Sequence, residues 1–195
     1  GSENTAVGYQ ALTANTTGGD NVAVGKQALI SNTTASNNVA IGDRALQANT
    51  TGTENVAVGK DAMYANTTRS RNTAIGLAAL DANTTGTGYN TAVGNNALTS
   101  NTSGAYNTGI GANAFSALTT GSQNTAVGYS AGQGLTGASN FNVAIGDETM
   151  LTSGVKSNNT AVGSDAMRLT TTGSSNTGLG YVALTANTTG AGNTA

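Results

Sequence analysis

The sequence predicts an all-β fold, a parallel β-solenoid built from one short unit repeated along the chain. A motif N-[TV]-[AG]-[VIL]-G recurs through the sequence, with successive starts seventeen positions apart nine times and eighteen twice. A fixed period near 20 is typical of solenoids, and so short a unit does not suit the helical repeats. Each unit also contains a short apolar alternation ended by Gly and followed by turn residues, which is typical of short strands.

Eleven full units and the start of a twelfth form one domain. Residues 1–3 are predicted to be a cloning remnant and lead-in, residues 4–192 one solenoid, and residues 193–195 the beginning of another unit. The units begin at Asn4, Asn21, Asn38, Asn55, Asn72, Asn90, Asn107, Asn124, Asn142, Asn159 and Asn176. The two insertions lie beside Tyr89 and Phe141, so the junction between units is predicted to be an exposed loop.

Each coil is predicted to contain two short strands, "NTAVG" and a stretch such as "QALTA", followed by an "NTTG" turn. The fourth position is interpreted as the core stripe of the first strand, with the second position on the same side. That stripe is Val7, Val24, Ile41, Val58, Ile75, Val93, Ile110, Val127, Ile145, Val162 and Leu179. The residues predicted to face it are Leu12, Leu29, Leu46, Met63, Leu80 and Leu98. The first strand is expected to be covered on both faces.

The first and fifth positions are invariant. The asparagines that begin the units are predicted to stack as a hydrogen-bonded ladder, on an outer face of small side chains that another chain can approach. The glycines are predicted to be turn residues with positive φ. They are Gly8, Gly25, Gly42, Gly59, Gly76, Gly94, Gly111, Gly128, Gly146, Gly163 and Gly180.

Charged residues are few and occur at only a few positions of the repeat. They make up 8% of the chain, and all fall at positions six, seven, ten, fifteen and seventeen, which are therefore predicted to be solvent-facing corners. The candidate contact corners are Tyr9, Lys26, Asp43, Lys60, Tyr129, Asp147 and Tyr181. A net charge of -2 without a basic stripe argues against nucleic acid as a partner, and no apolar run is long enough to insert into a membrane.

The stretches "NNVAIG" (37–42) and "NVAIG" (142–146) resemble the repeat of YadA-type trimeric autotransporter adhesin heads. The longer "NTAVGYQAL…NTTG" pattern resembles repeat arrays of bacterial surface proteins and phage tail-fibre-like proteins. The resemblance implies a left-handed β-roll, a homotrimer and a place on a bacterial surface or phage virion. The "ALTANTTG" half departs from the adhesin repeat, whose units are typically shorter.

No catalytic constellation is evident, so an enzyme is not expected. Histidine and cysteine are absent, which removes the commonest bases, nucleophiles and metal ligands. Asp147 and Glu148 are adjacent but predicted to be solvated, and Asp61 and Asp165 lie six coils apart. No cofactor or metal is predicted. The Asn-x-Ser/Thr sequences in the turns are glycan acceptors only in a eukaryotic secretory route.

Two functions remain open. The first is a structural or adhesive fibre segment that attaches to matrix, glycan or a cell envelope through its corners. The alternative is ice binding, since some ice-binding proteins are β-solenoids, although the adjacent Thr16 and Thr17 are predicted to diverge. In residues 118–155 the "NTT" turn is lost, which indicates either a repacked core or a local contact surface.

Overall fold

The computed structural model describes residues 1–152, 154 and 156–195. Across them, eleven strands form one parallel sheet in chain order. The strands are β1 Thr5–Val7, β2 Val22–Val24, β3 Val39–Ile41, β4 Val56–Val58, β5 Thr73–Ile75, β6 Thr91–Val93, β7 Thr108–Ile110, β8 Thr125–Val127, β9 Val143–Ile145, β10 Thr160–Val162 and β11 Thr177–Leu179. Equivalent residues of successive units pair, as Thr5 does with Val22. The predicted parallel solenoid, with one coil per sequence unit, is confirmed.

The second stretch of each coil is not a strand, so the prediction of two strands per coil is wrong. In the described residues it consists of turns, with positive φ at positions seven and nine, such as +58° at Gln27 and +50° at Leu29. Extended backbone needs φ near about −120°, so these residues curve the chain back toward the sheet. Neighbouring coils still bond there, as Leu29 N donates to Ala45 O at 3.1 Å.

The core is a column of small and medium apolar side chains inside the coil. Ala at the third and eighth positions packs with Leu or Met at the ninth. Ala23, Ala28 and Leu29 have no exposed surface. The predicted inward direction of the Leu12-type residues is therefore correct, but their partners are alanines rather than valines.

The predicted core stripe at position four is wrong, because its side chains point out of the coil. Ile41 is 40% exposed and Ile75 is 41% exposed, whereas Ala40 and Ala74, at position three of the same coils, are buried. The physical reason is space. A Cβ on Gly109, at position three, would already lie 3.3 Å from Leu98 Cγ, so a Val or Ile side chain does not fit inside. The strand is thus covered on one face only, not on both as predicted.

The asparagines at position one lie inside the coil, not on the outer face that the sequence predicts. The Asn38 side-chain amide donates to Asn21 Oδ1 at 3.3 Å and to Gly52 O at 2.9 Å, while Asn38 N donates to the same Asn21 oxygen at 3.1 Å. Both asparagines are fully buried. Each amide thus links two coils and satisfies a turn carbonyl, which removes the cost of burying these polar groups.

Glycine at position five is required for two reasons. All eleven of these glycines have φ between +127° and +138°, a region that side chains rarely adopt. The coils also approach closely there, since a Cβ on Gly94 would lie 2.6 Å from the Gly111 carbonyl carbon.

Candidate interaction surface

The outward face of the sheet is an extended apolar surface that the repeat builds. Each strand places one side chain from position two and one from position four on it. With strands about 4.8 Å apart and alternate residues about 6.7 Å apart, eleven strands give a strip roughly 50 Å long. Seven of the second-position residues are Thr and four are Val, whereas every fourth-position residue is Val, Ile or Leu.

The fourth-position column alternates in size. From Val24 onward, Val and Ile take turns in successive coils up to Val162. The isoleucines protrude: Ile110 is 40% exposed and Ile145 37% exposed, while the intervening valines are half-buried. The surface therefore has a ridge at every second coil, about 9.6 Å apart at strand spacing.

Aromatic side chains flank this face at the unit junction. The rings of Tyr89 and Tyr106 stack with centroids 5.0 Å apart and planes 11° apart. Arg71 lies 5.4 Å over the Tyr89 ring, donates to its hydroxyl at 2.5 Å, and pairs with Glu54 at 2.9 Å. These contacts raise the pKa of Arg71, the Glu54 hydrogen bond being the main cause. Phe141 lies at the equivalent junction two coils beyond Tyr106 and is also exposed.

The predicted contact corners lie at the surface. Tyr9, Tyr129 and Tyr181 are exposed, as are Lys26, Lys60 and Asp147, while Asp43 is half-buried. They form a second column, of mixed charge, beyond the Gly turn. The outward strand face thus lies between the junction column, which carries both charged and aromatic residues, and the corner column.

No known family accounts for this surface. No family model, curated protein or solved structure matches the chain. Its function must therefore be argued from its own residues.

Position fifteen is not a solvent-facing corner, contrary to the prediction. Arg69 and Lys156 both occupy it, and each is 1% exposed. Arg69 donates to Asn83 Oδ1 and Gly104 O, and Lys156 Nζ donates to Thr152 O at 2.8 Å and to Thr170 O. Within the described part of the chain neither joins an ion pair.

Burial lowers the pKa of both cations. The pKa falls to about 10 for Arg69 and to about 8 for Lys156, because the charged form of each side chain is poorly solvated inside the coil. These side chains depart from the Gly or Ala usual at this position. The sequence signal was present, because a long cation replaces a small residue there.

Of the four acidic residues that drew attention in the sequence, Glu148, Asp165 and Asp61 are engaged with cations, and Asp147 is exposed. Arg168 pairs with Glu148 at 3.0 Å and with Asp165 at 3.2 Å. Asp61 pairs with Arg44 at 2.8 Å. The described residues contain no cluster of three potential metal ligands and no helix long and apolar enough to cross a bilayer.

A second asparagine column escaped the sequence analysis. In the "NTT" turn, the Asn32 amide donates to Asn15 Oδ1 at 3.1 Å, and the contact repeats from Asn49 to Asn32, Asn66 to Asn49 and Asn83 to Asn66. Identical amides at one phase of the repeat were the available signal. The "NTTG" pattern by itself predicts only a turn.

The irregular region has a repacked core. Leu118 and Leu135 replace Asn at position twelve and are fully buried. Phe115 fills the space beside Gly132, where a Cβ would lie 2.3 Å from the ring. This explains the lost "NTT" turns up to Leu135. Ser153 and Val155, at the end of the region, lie outside the described residues.

Proposed function

We propose that this chain is a non-enzymatic structural and adhesive segment of a surface or tail fibre, assembled as a homotrimer through the outward face of its sheet. The observation that carries the proposal is the uncovered Thr/Val and Val/Ile face. Parallel sheets are normally covered on both faces, and a contiguous exposed apolar strip of this length is typical of an interaction site.

The dimensions suit further copies of this chain. A strip roughly 50 Å by 10–15 Å offers about 500–750 Å² on each copy at strand spacing. Two such strips together reach the roughly 1,000 Å² that specific interfaces need. A rod with one repeating face is matched along its length by another rod of the same pitch. The formal charge of -2 is too small for strong repulsion between copies.

The alternation of Val and Ile supports a fixed register. About a three-fold axis along the rod, equal coils of the three copies lie at the same height, so layers of Ile alternate with layers of Val, and a slip by one coil would set Ile against Val. Close packing of that kind distinguishes one alignment from its neighbours.

The resemblance of "NVAIG" (142–146) to trimeric adhesin heads supports three copies, a left-handed coil and a place on a bacterial surface or phage virion. Attachment would use the corner column from Tyr9 to Tyr181. Each coil offers only a few contacts, so affinity for matrix, glycan or a cell envelope would come from repetition and from several chains.

Single cysteines test the packing, because the chain has none of its own. Ile110→Cys should form a disulfide between copies under mild oxidation, since it lies on the outward face. Lys60→Cys, at an exposed corner, is the matched control and should remain largely monomeric on a non-reducing gel. Equal cross-linking of both variants, or none of Ile110→Cys, would contradict the proposed interface.

Ice binding is the second candidate, and one observation favours it more than the sequence did. The second-position threonines point outward, so the strip is a regular array of roughly 4.8 by 6.7 Å. The Ile ridges and the absence of Thr at position four make this array uneven and apolar. Thermal hysteresis with faceted ice crystals, lost in Thr108→Lys, would establish this function instead.

A further inference from the structure

A cleft on the turn side of the solenoid has no role in the proposed assembly. Its walls are Arg44, Asp61 and Ala78 from position seven of three consecutive coils, and Tyr64 and Asp81 from position ten of two. Its volume is about 250 Å³. The strand positions that form the outward face do not contribute to it.

The cleft exists because Ala78 is short. Position seven carries Arg44 and Asp61 in the two preceding coils and Asn96 in the next. Ala78 leaves a depression between Asp61 and Asp81. Backbone bonds hold its floor, since Ala78 N donates to Lys60 O at 3.0 Å and Ala65 N to Asp81 O at 3.0 Å.

The Arg44 side chain is fixed in place. Its Nε lies 2.8 Å from Asp61 Oδ1, and its Nη2 donates to Asp61 Oδ2 at 2.8 Å. The guanidinium also lies 5.3 Å from the centre of the Tyr64 ring. The Nη2 hydrogen bond and the close charge contact at Nε hold the guanidinium against Asp61, so Arg44 can present its remaining N–H groups to a ligand.

Asp81 has an unsatisfied oxygen at the cleft. Its Oδ1 is buried and has no hydrogen-bond partner among the described residues. Burial raises the pKa of Asp81, the charge of Asp61 adds to the effect, and Arg44 opposes it. The side chain as a whole is only half-buried, and a carboxylate short of donors is costly, so a ligand that donates a hydrogen bond to its exposed part gains affinity.

We propose that this cleft binds one hydroxyl-rich ring of a neutral saccharide. Sugar hydroxyls donate to Asp81 and accept from Arg44, and the apolar edge of the ring contacts Tyr64. The volume is below the roughly 300–1,000 Å³ of sites for larger ligands. A bare cation would meet the Arg44 charge, and an anionic sugar would meet Asp81. The proposal goes beyond the assembly function and does not depend on it.

Saturation-transfer NMR with methyl α-mannoside, methyl β-galactoside and methyl β-glucoside tests this site. At least one glycoside should receive saturation from the wild-type protein. Asp81→Leu should weaken that binding at least about tenfold, since it removes charged hydrogen-bond acceptors. Asp20→Leu, an exposed carboxylate outside both the cleft and the corner column, is the matched control and should bind like wild type.

The outcomes separate the two proposals. No transfer to any glycoside, or equal transfer in Asp81→Leu, overturns the saccharide site. Loss of binding in Asp20→Leu as well would also overturn it. Because the molar mass is measured separately, a monomeric protein that binds a glycoside through Asp81 would contradict the assembly and retain the cleft.

Discussion

The guanidinium of Arg69 donates a hydrogen bond to Asn83 Oδ1 inside the solenoid. Asn83 itself donates to Asn66 at 3.0 Å, as the preceding asparagines of this column do. Arg69 occupies the oxygen that Asn101 would otherwise use, and Asn101 Nδ2 has no partner in the described part of the chain. A buried charge therefore interrupts the second asparagine column between its fifth and sixth members.

Replacing Arg69 should stabilise the protein. Arg69→Ala removes a buried charge that has no ionic partner, and it frees the Asn83 oxygen to accept a hydrogen bond from Asn101. Alanine fits at this position of the repeat, since Ala35 occupies it and is buried. We expect a gain of about 1 kcal/mol, or about 2–4 °C in Tm for a chain of this size. Arg71→Ala, at an exposed position, should change Tm little. A large loss of Tm in Arg69→Ala would show that the arginine supports the fold.

Alkaline pH should stabilise the protein through Lys156. Its pKa is about 8 in the folded chain, against an ordinary value of 10.5. Between these values the unfolded chain binds more protons, so stability rises as pH increases. Thermal melts from pH 7 to about 9.5 should show a rising Tm, and Lys156→Met should flatten the rise. Lys60→Met, at an exposed corner, should leave the rise of Tm with pH unchanged. A wild-type Tm that does not change with pH would contradict the burial of Lys156.

Two neighbouring residues of one strand should respond differently when each is replaced by aspartate, because one points inward and the other outward. Ala92→Asp places a carboxylate inside the coil, where Ala92 has no exposed surface, and should cost several kcal/mol or unfold nearby coils. Val93→Asp points outward and should retain the melting cooperativity of a folded solenoid while weakening association. Similar circular dichroism melts for dissociated samples of both variants would contradict the assigned directions.

Two glycines separate backbone strain from close approach. Gly94→Ala is strained by a φ of +135° and places a Cβ 2.6 Å from Gly111. Gly180→Ala has a similar φ of +127° but meets nothing within 4 Å. Strain of this kind costs about 1–3 kcal/mol, so Gly180→Ala should show that loss and Gly94→Ala clearly more. Equal losses would mean that the coils do not approach as closely as described.

Much of the fold could be predicted from the sequence, because period and phase are visible in it. The register of the repeat, the glycine turn after Val24 and the inward direction of Leu29 all follow from pattern. The two-residue alternation could not show which face of the strand points into the coil. Either Ala23 or the pair Val22 and Val24 satisfies the pattern as the inward side. Hydrophobicity favoured valine inside, but the narrow coil admits only alanine or glycine.

Other features depended on backbone geometry that the residue types disfavour. Gln27 and Leu29 adopt positive φ, which is uncommon for such residues, so the turns replaced the predicted second strand. The Arg44–Asp61–Asp81 cleft required knowing which positions of successive coils lie side by side. Arg69 and Lys156 were recognisable as exceptions at position fifteen, but charge alone suggested solvent.

The central claim, that the outward strand face joins copies of this chain, is tested most directly by molar mass in solution. Light scattering at micromolar concentration should give three times the monomer mass for the wild type. Ile110→Asp, on the same face, should give the monomer mass with an unchanged far-ultraviolet circular dichroism spectrum. A monomeric wild type across the concentration range would contradict the account.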